Sequence, residues 1–360
     1  MITPDNNFNN FNNFNQYNQY NIGYGKRPLT PEEQAEKKNL FIDCVKLGCM
    51  LLLYNILNTV FAYAFYYCTY YVKTKSFSLD YNVIFSYLGK EQAKLVSSTA
   101  YRMSANISIT IFSLITMLLV AKFIFRVHIS NFLKPNKASV KQGAIWAPAC
   151  FVINMILSLM VSYFTAFMSA QGVSVPSSDF SLSSPSAISV IMQVSYVIIL
   201  APIIEEFIYR GLILGILSRY GTTAAVLLSA LSFGLMHGNI PQAASAFATG
   251  IVYATIAINC GSIVPTIMIH AFNNLIANFS DISSALNIPH ADLIFCLFEI
   301  AVALIGFFVL FSRYDFLKTK EPDSHLSKKQ VTKSVFTNPA IIIYLLTLVY
   351  SIVKGLIDAN

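Results

Sequence analysis

The stretch APIIEEFIYRG, residues 201–211, sets two glutamates and an arginine inside a long apolar run, 188–217. Ionisable side chains within a membrane span are expensive, so each invites a functional reading. Glu206 and Arg210 are four residues apart with the acid N-terminal. That is the favourable order for a helical ion pair, so the two should neutralise each other. Glu205 then points about 100° away around the helix, without a local partner. It is left available as a general base or a metal ligand.

Working outward, the next apolar run ends in His237, and a later one contains His270 and Asn274. The other histidines, His128, His290 and His325, fall in connections, where a solvated role is the default. A lone histidine in an apolar stretch is usually a satisfied core residue, but here the positions converge. With a hairpin about Gly221, Glu205 lies 16 residues before the turn and His237 16 after it. Both then sit about 24 Å along their helices. Gly261 closes a second turn on the same side, and His270 and Asn274 follow it by 9 and 13 residues. Those two lie roughly 14 and 20 Å along one face of their helix. A carboxylate, two imidazoles and an amide from three helices are therefore expected in one buried layer.

Such a layer supports two kinds of hydrolysis. A glutamate and a histidine can bind and deprotonate a water, while a second histidine and the asparagine amide donate hydrogen bonds to the oxyanion of a tetrahedral intermediate. Alternatively, Glu205, His237 and His270 could hold Zn²⁺, because two histidines and a carboxylate form a catalytic ligand set. The residue types do not choose between these, and no HExxH motif is present.

The remainder of the chain reads as a membrane bundle. Its 360 residues are 55% hydrophobic and 11% charged, where soluble domains carry roughly 25% charged residues. The stretches 46–71, 106–126, 144–168, 188–217, 223–238, 241–258, 263–280, 291–312 and 338–356 are candidate crossings of a hydrocarbon core about 30 Å thick. The expected fold is all-α, a polytopic transmembrane bundle of eight to nine spans, with 338–356 either spanning or lying in the interface. The net charge of +7 resides in the connections, so topology explains it and no nucleic-acid partner is expected. Cys44, Cys49, Cys68, Cys150, Cys260 and Cys296 lie in or beside apolar segments without a CxxC pair, and read as packing residues.

Four regions follow. Residues 1–39 combine an Asn-rich tail (NNFNNFNQYNQYN), expected to be disordered, with a short polar helix begun by Thr30, Pro31, Glu32 and Glu33. Residues 40–143 carry the N-terminal spans, 144–312 the catalytic core, and 313–360 a basic loop and a last hydrophobic helix. The 126–142 and 313–333 connections are rich in Lys and Arg, whereas 169–187 has none. This places the N-terminus and both basic loops in the cytoplasm. The 73–105 connection, with five Lys and Arg residues, then falls outside as an amphipathic surface segment.

Three motifs on the fourth, fifth and seventh spans carry a resemblance: EExxxR as Glu205, Glu206 and Arg210; FxxxH as Phe233 and His237; HxxxN as His270 and Asn274. In their order and spacing the chain, over about 145–310, resembles the CAAX-protease and bacteriocin-processing family, also called Abi or CPBP, of type II CAAX prenyl endopeptidase-like membrane proteins. The resemblance implies an all-helical intramembrane endopeptidase acting on a membrane-associated peptide or protein. It implies that Glu205 and His237 activate water, that His270 and Asn274 stabilise the oxyanion, and that Glu206, Arg210 and Phe233 support the site. The family is described both as metal-dependent and as glutamate-type, so Zn²⁺ stays open. A prenylated substrate is not implied, and a bacterial cell membrane is the expected location.

Two other readings compete. A bundle with buried Glu, Arg and His could be a proton-coupled transporter, but no internal repeat is visible. A non-catalytic immunity or scaffold protein could keep the fold. Glu299, in the eighth span, is expected to pair with another helix or to lie near the outer end, with contact to the site cavity as the lesser alternative. The run ASAFATG around Gly250 suits close helix packing.

Overall fold

The computed structural model describes residues 27–78, 80, 83–84, 86–87, 99–126, 137–176 and 187–360. The Asn-rich tail, most of the expected surface segment within 73–105, and His128 lie outside them. Among the described residues every regular element is helical.

Thr30 starts the first helix as the sequence suggests. Its hydroxyl accepts from the Glu33 N–H, the Glu33 carboxylate accepts from the Thr30 N–H, and Pro31 occupies the first turn. No proline follows, so α1 (Pro31–Thr74) runs unbroken for 44 residues, and the expected separate polar helix is simply its first turns. Next come α2 (Thr99–Phe123) and α3 (Lys137–Ala170). The span that carries the glutamates, α4, is a composite: Ala187–Val194 is α-helical, Ser195–Leu200 π-helical, Ala201–Glu206 α-helical, Phe207–Leu214 π-helical, and Gly215–Leu217 a last α turn. It is followed by α5 (Thr222–Leu235), α6 (Ile240–Cys260), α7 (Val264–Ala277), the short α8 (Phe279–Ala285), α9 (Ala291–Arg313), α10 (Lys328–Phe336) and α11 (Pro339–Asp358).

Seven of these, α1, α2, α3, α4, α6, α9 and α11, are long and apolar enough to cross a membrane. The last hydrophobic segment therefore has spanning length. All nine expected spans are helical, yet α5 and α7 have only 14 residues each. That is about 21 Å, short of a core of about 30 Å. Helix α5 gives way to a turn after Leu235. There Met236, His237, Gly238 and Asn239 form a turn, with Gly238 at φ +71° and Asn239 capping α6 by accepting from the Gln242 N–H.

Helix α3 packs against α6, α7 and α9, while α11 lies against α1 and α5. The buried side chains form two main clusters. One joins Leu47 and Met50 of α1, Ile208, Leu212 and Leu214 of α4, Phe233 of α5 and Tyr344 of α11. The other joins Trp146 and Cys150 of α3, Tyr253 and Ile256 of α6, and Ile269 of α7. Tyr163, Leu304, Phe308 and Phe311 face outward. Such an apolar exterior suits acyl chains and would be an aggregation hazard in water. All six cysteines are free.

The 313–333 connection defines one face of the bundle. Glu321 accepts from the N–H of Thr222 at 2.7 Å, at the start of α5, and Glu36 of α1 accepts from the Ser324 hydroxyl at 2.6 Å and the His325 N–H at 2.8 Å. The beginnings of α1 and α5 and the end of α9 thus share a side. The chain is an integral, multi-pass membrane protein.

Candidate active site

The site is assembled around an ion pair that no solvent reaches. Arg210 Nη1 donates to Glu206 Oε1 at 2.9 Å, both side chains being fully buried, and Arg210 Nη2 donates to the carbonyl of Gly250 at 3.2 Å. Gly250 is needed there. A Cβ at this position would lie 3.1 Å from the Ala230 backbone and 3.3 Å from the guanidinium itself. The packing role expected of the ASAFATG run is thus joined to a polar one, since close approach exposes a carbonyl to the arginine. The flat face of Arg210 lies over Phe233, with the guanidinium carbon 4.2 Å from the ring centre, and near Tyr253 at 5.3 Å.

From this centre the histidines are held in turn. His270 Nδ1 lies 3.1 Å from Glu206 Oε1. A carboxylate oxygen accepts, so Nδ1 carries the proton and Nε2 is directed elsewhere. That nitrogen stands 3.8 Å from Oε2 of Glu205, a buried oxygen with no hydrogen-bond partner. His237 is not within α5 but in the turn after it. Its Nδ1 donates to the carbonyl of Phe233 at 2.8 Å, leaving Nε2 as the reactive position. Both imidazoles stand edge-on to the Phe233 ring, with centroids 5.3 and 5.4 Å away.

Asn274 is held by a defect in α4. In the first π stretch the Ala201 N–H bonds to the carbonyl of Tyr196, and residue 202 is proline, with no N–H to offer. The Val197 carbonyl therefore lacks a helical donor, and Asn274 Nδ2 supplies one at 2.8 Å. An amide has two N–H bonds, so one is left.

His237, His270 and Asn274 line a common cavity of about 580 Å³ between α3, α6, α7 and α9. Glu205 does not line it and meets its edge only through His270. Among the described residues, no three His, Cys, Asp or Glu side chains are grouped so as to hold a metal ion. The expected ligand set of Glu205, His237 and His270 is therefore not assembled, as His270 approaches both glutamates while His237 is tied to its own helix end.

Residues 187–276 match the family model described as Type II CAAX prenyl endopeptidase Rce1-like. The chain is similar to that family over this segment. At the level of that family it supports a CAAX-type intramembrane endopeptidase, a membrane protease with a peptide substrate. The matched segment holds every motif residue from Glu205 to Asn274. No curated protein and no solved structure gives a significant match to the chain.

Three side chains in and around the matched segment are not picked out by the motifs. Tyr253 is buried against His270 and Phe233, and its hydroxyl accepts from Asn273 Nδ2 at 2.5 Å. The tandem Asn273–Asn274 was the available signal, because two adjacent amides on an apolar helix must face different partners. Glu299, for which contact with the cavity is the lesser expectation, lines it.

Proposed function

We propose that the protein is an intramembrane endopeptidase in which Glu205 is the general base. The 3.8 Å gap between the unpartnered Glu205 Oε2 and His270 Nε2 carries this reading. It is too wide for a direct hydrogen bond, and a water entering between the two groups would stand about 2.8 Å from each atom. Glu205 accepts a proton from that water as its oxygen attacks the carbonyl of a peptide bond in the cavity. The remaining N–H of Asn274, and His237 when Nε2 is protonated, face the cavity and stabilise the oxyanion. Collapse of the tetrahedral intermediate breaks the C–N bond, and the proton on Glu205 passes to the leaving nitrogen, which returns the site to its initial state. The histidines thereby exchange the duties that the resemblance implied, because His270, rather than His237, stands beside Glu205. Glu206 and Arg210 keep the layer rigid. We place the N-terminus and the Lys-rich connection that shares its face in the cytoplasm.

The test is cleavage of membrane-associated peptides by purified protein in nanodiscs. Glu205→Gln and His270→Ala should each abolish product while insertion and elution remain normal. Undiminished cleavage by Glu205→Gln would remove the base assignment.

A further inference from the structure

The cavity has a charge character of its own. Among the described residues Glu299 is its only lining carboxylate, and no Lys or Arg is found on its walls. Glu299 sits on α9 between the outward-facing Phe298 and Ile300, is itself half-buried, and takes part in no ion pair among the described residues. Its depth matches that of the candidate site. It lies 14 residues before Arg313 on α9, and His237 lies 15 residues after Thr222 at the start of α5. Those two helix ends share a face, so both groups are about 21–23 Å from it. The α3 wall adds Asn154, Ser158 and Ser162, which recur every four residues along one face of the cavity. Hydroxyl and amide groups so arranged can serve peptide N–H and C=O groups that an unwound substrate would otherwise leave unsatisfied in lipid.

An ionisable group at this depth, lacking an internal partner, is costly to keep. We propose that Glu299 selects a cationic side chain, Lys or Arg, beside the bond to be cut. A carboxylate and an ammonium or guanidinium group, each unfavourable in the bilayer alone, form a charge-assisted hydrogen bond when the substrate docks. This rests on the cavity being the substrate site of the proposed protease.

The experiment separates docking from cleavage. Binding to the full-length Glu205→Gln variant in nanodiscs is measured by fluorescence anisotropy with three apolar Ala/Leu peptides that differ only in a central Lys, Gln or Glu. The Lys peptide should bind about tenfold or more tightly than the Gln peptide. Glu299→Gln should erase that ratio, and Glu299→Lys should transfer the preference to the Glu peptide. Equal binding of all three peptides by the parent, or a Lys preference that survives both substitutions, overturns the proposal. Elution profiles of both variants establish that they are folded. Cleavage by the unsubstituted protein is scored separately. Selective docking without any cleavage would sink the protease reading and leave the role of Glu299 intact, and unselective cleavage would do the reverse.

Discussion

Arg210 lies over Phe233, its guanidinium carbon 4.2 Å from the ring centre, while the same guanidinium donates to Glu206 at 2.9 Å. The stack matters because both histidines lean on that ring. One buried arginine thus fixes the charge of Glu206, the tilt of Phe233 and, through them, the two imidazoles.

Arg210→Ala should therefore damage folding before it damages chemistry. It removes the guanidinium from the fully buried Glu206 and leaves the His270 hydrogen bond to hold that carboxylate, at a cost of about 3–5 kcal/mol. The expected result is a sharp loss of monodisperse protein on extraction. Arg210→Lys should recover part of the yield, since a lysine keeps the charge but loses the fork and the stack. Normal yield of the alanine variant, with only the rate reduced, would move the pair from support into the reaction.

Phe233→Leu asks a different question, because leucine fills most of the space but offers no ring for the histidines. The fold should survive with a modest drop in melting temperature. Cleavage should fall by about 10²-fold, the order expected when reacting groups shift by an ångström. A variant with parental turnover would show that the imidazoles are positioned by their hydrogen bonds alone.

The comparison of sequence with structure is instructive at these residues. The Glu206–Arg210 pair was legible because i,i+4 spacing survives even where α4 passes from α- to π-helix at Glu206 and Phe207. The layer was legible because helix rise converts residue counts into depth, and Gly221 and Gly261 do mark the turns. The partners within the layer were not. Depth carries no azimuth, and two π stretches rotate α4 in a way that 3.6-residue periodicity cannot anticipate, so the meeting of Glu205 with His270 emerged only in three dimensions. His237 was assigned to a span and falls in a turn, because hydropathy does not register the end of α5 when apolar residues continue through Met236. Glu299 meets the same limit: its neighbours face outward, and only the position of α9 against α3 decides between a cavity contact and a partner on another helix.

Metal removal distinguishes the two hydrolytic readings. Because the side chains of Glu205, His237 and His270 do not converge on one point, cleavage by purified protein should survive prolonged chelation, and elemental analysis should find zinc well below one equivalent per chain. Activity that disappears with the chelator and returns with Zn²⁺ would require His237 to swing toward Glu205 and would replace the base mechanism.

Asn274 offers a test in which stability and catalysis separate. Asn274→Ala removes an oxyanion donor, for which losses of about 10²–10³ in turnover are typical. It also leaves the Val197 carbonyl unpaired, at about 1–3 kcal/mol. The second effect arises because Pro202 has no N–H, so it can be relieved independently. Pro202→Ala supplies a backbone donor in the turn that faces Val197. In a double-mutant cycle read by thermal unfolding in detergent, Pro202→Ala should offset much of the stability lost in Asn274→Ala, with coupling of about 1 kcal/mol. Turnover should remain low in the double variant, because a backbone N–H at residue 202 satisfies Val197 and does not reach the cavity. Additive losses in stability would show that Asn274 does not serve the Val197 carbonyl. Recovered turnover would show that its place in the reaction is only to keep α4 in shape.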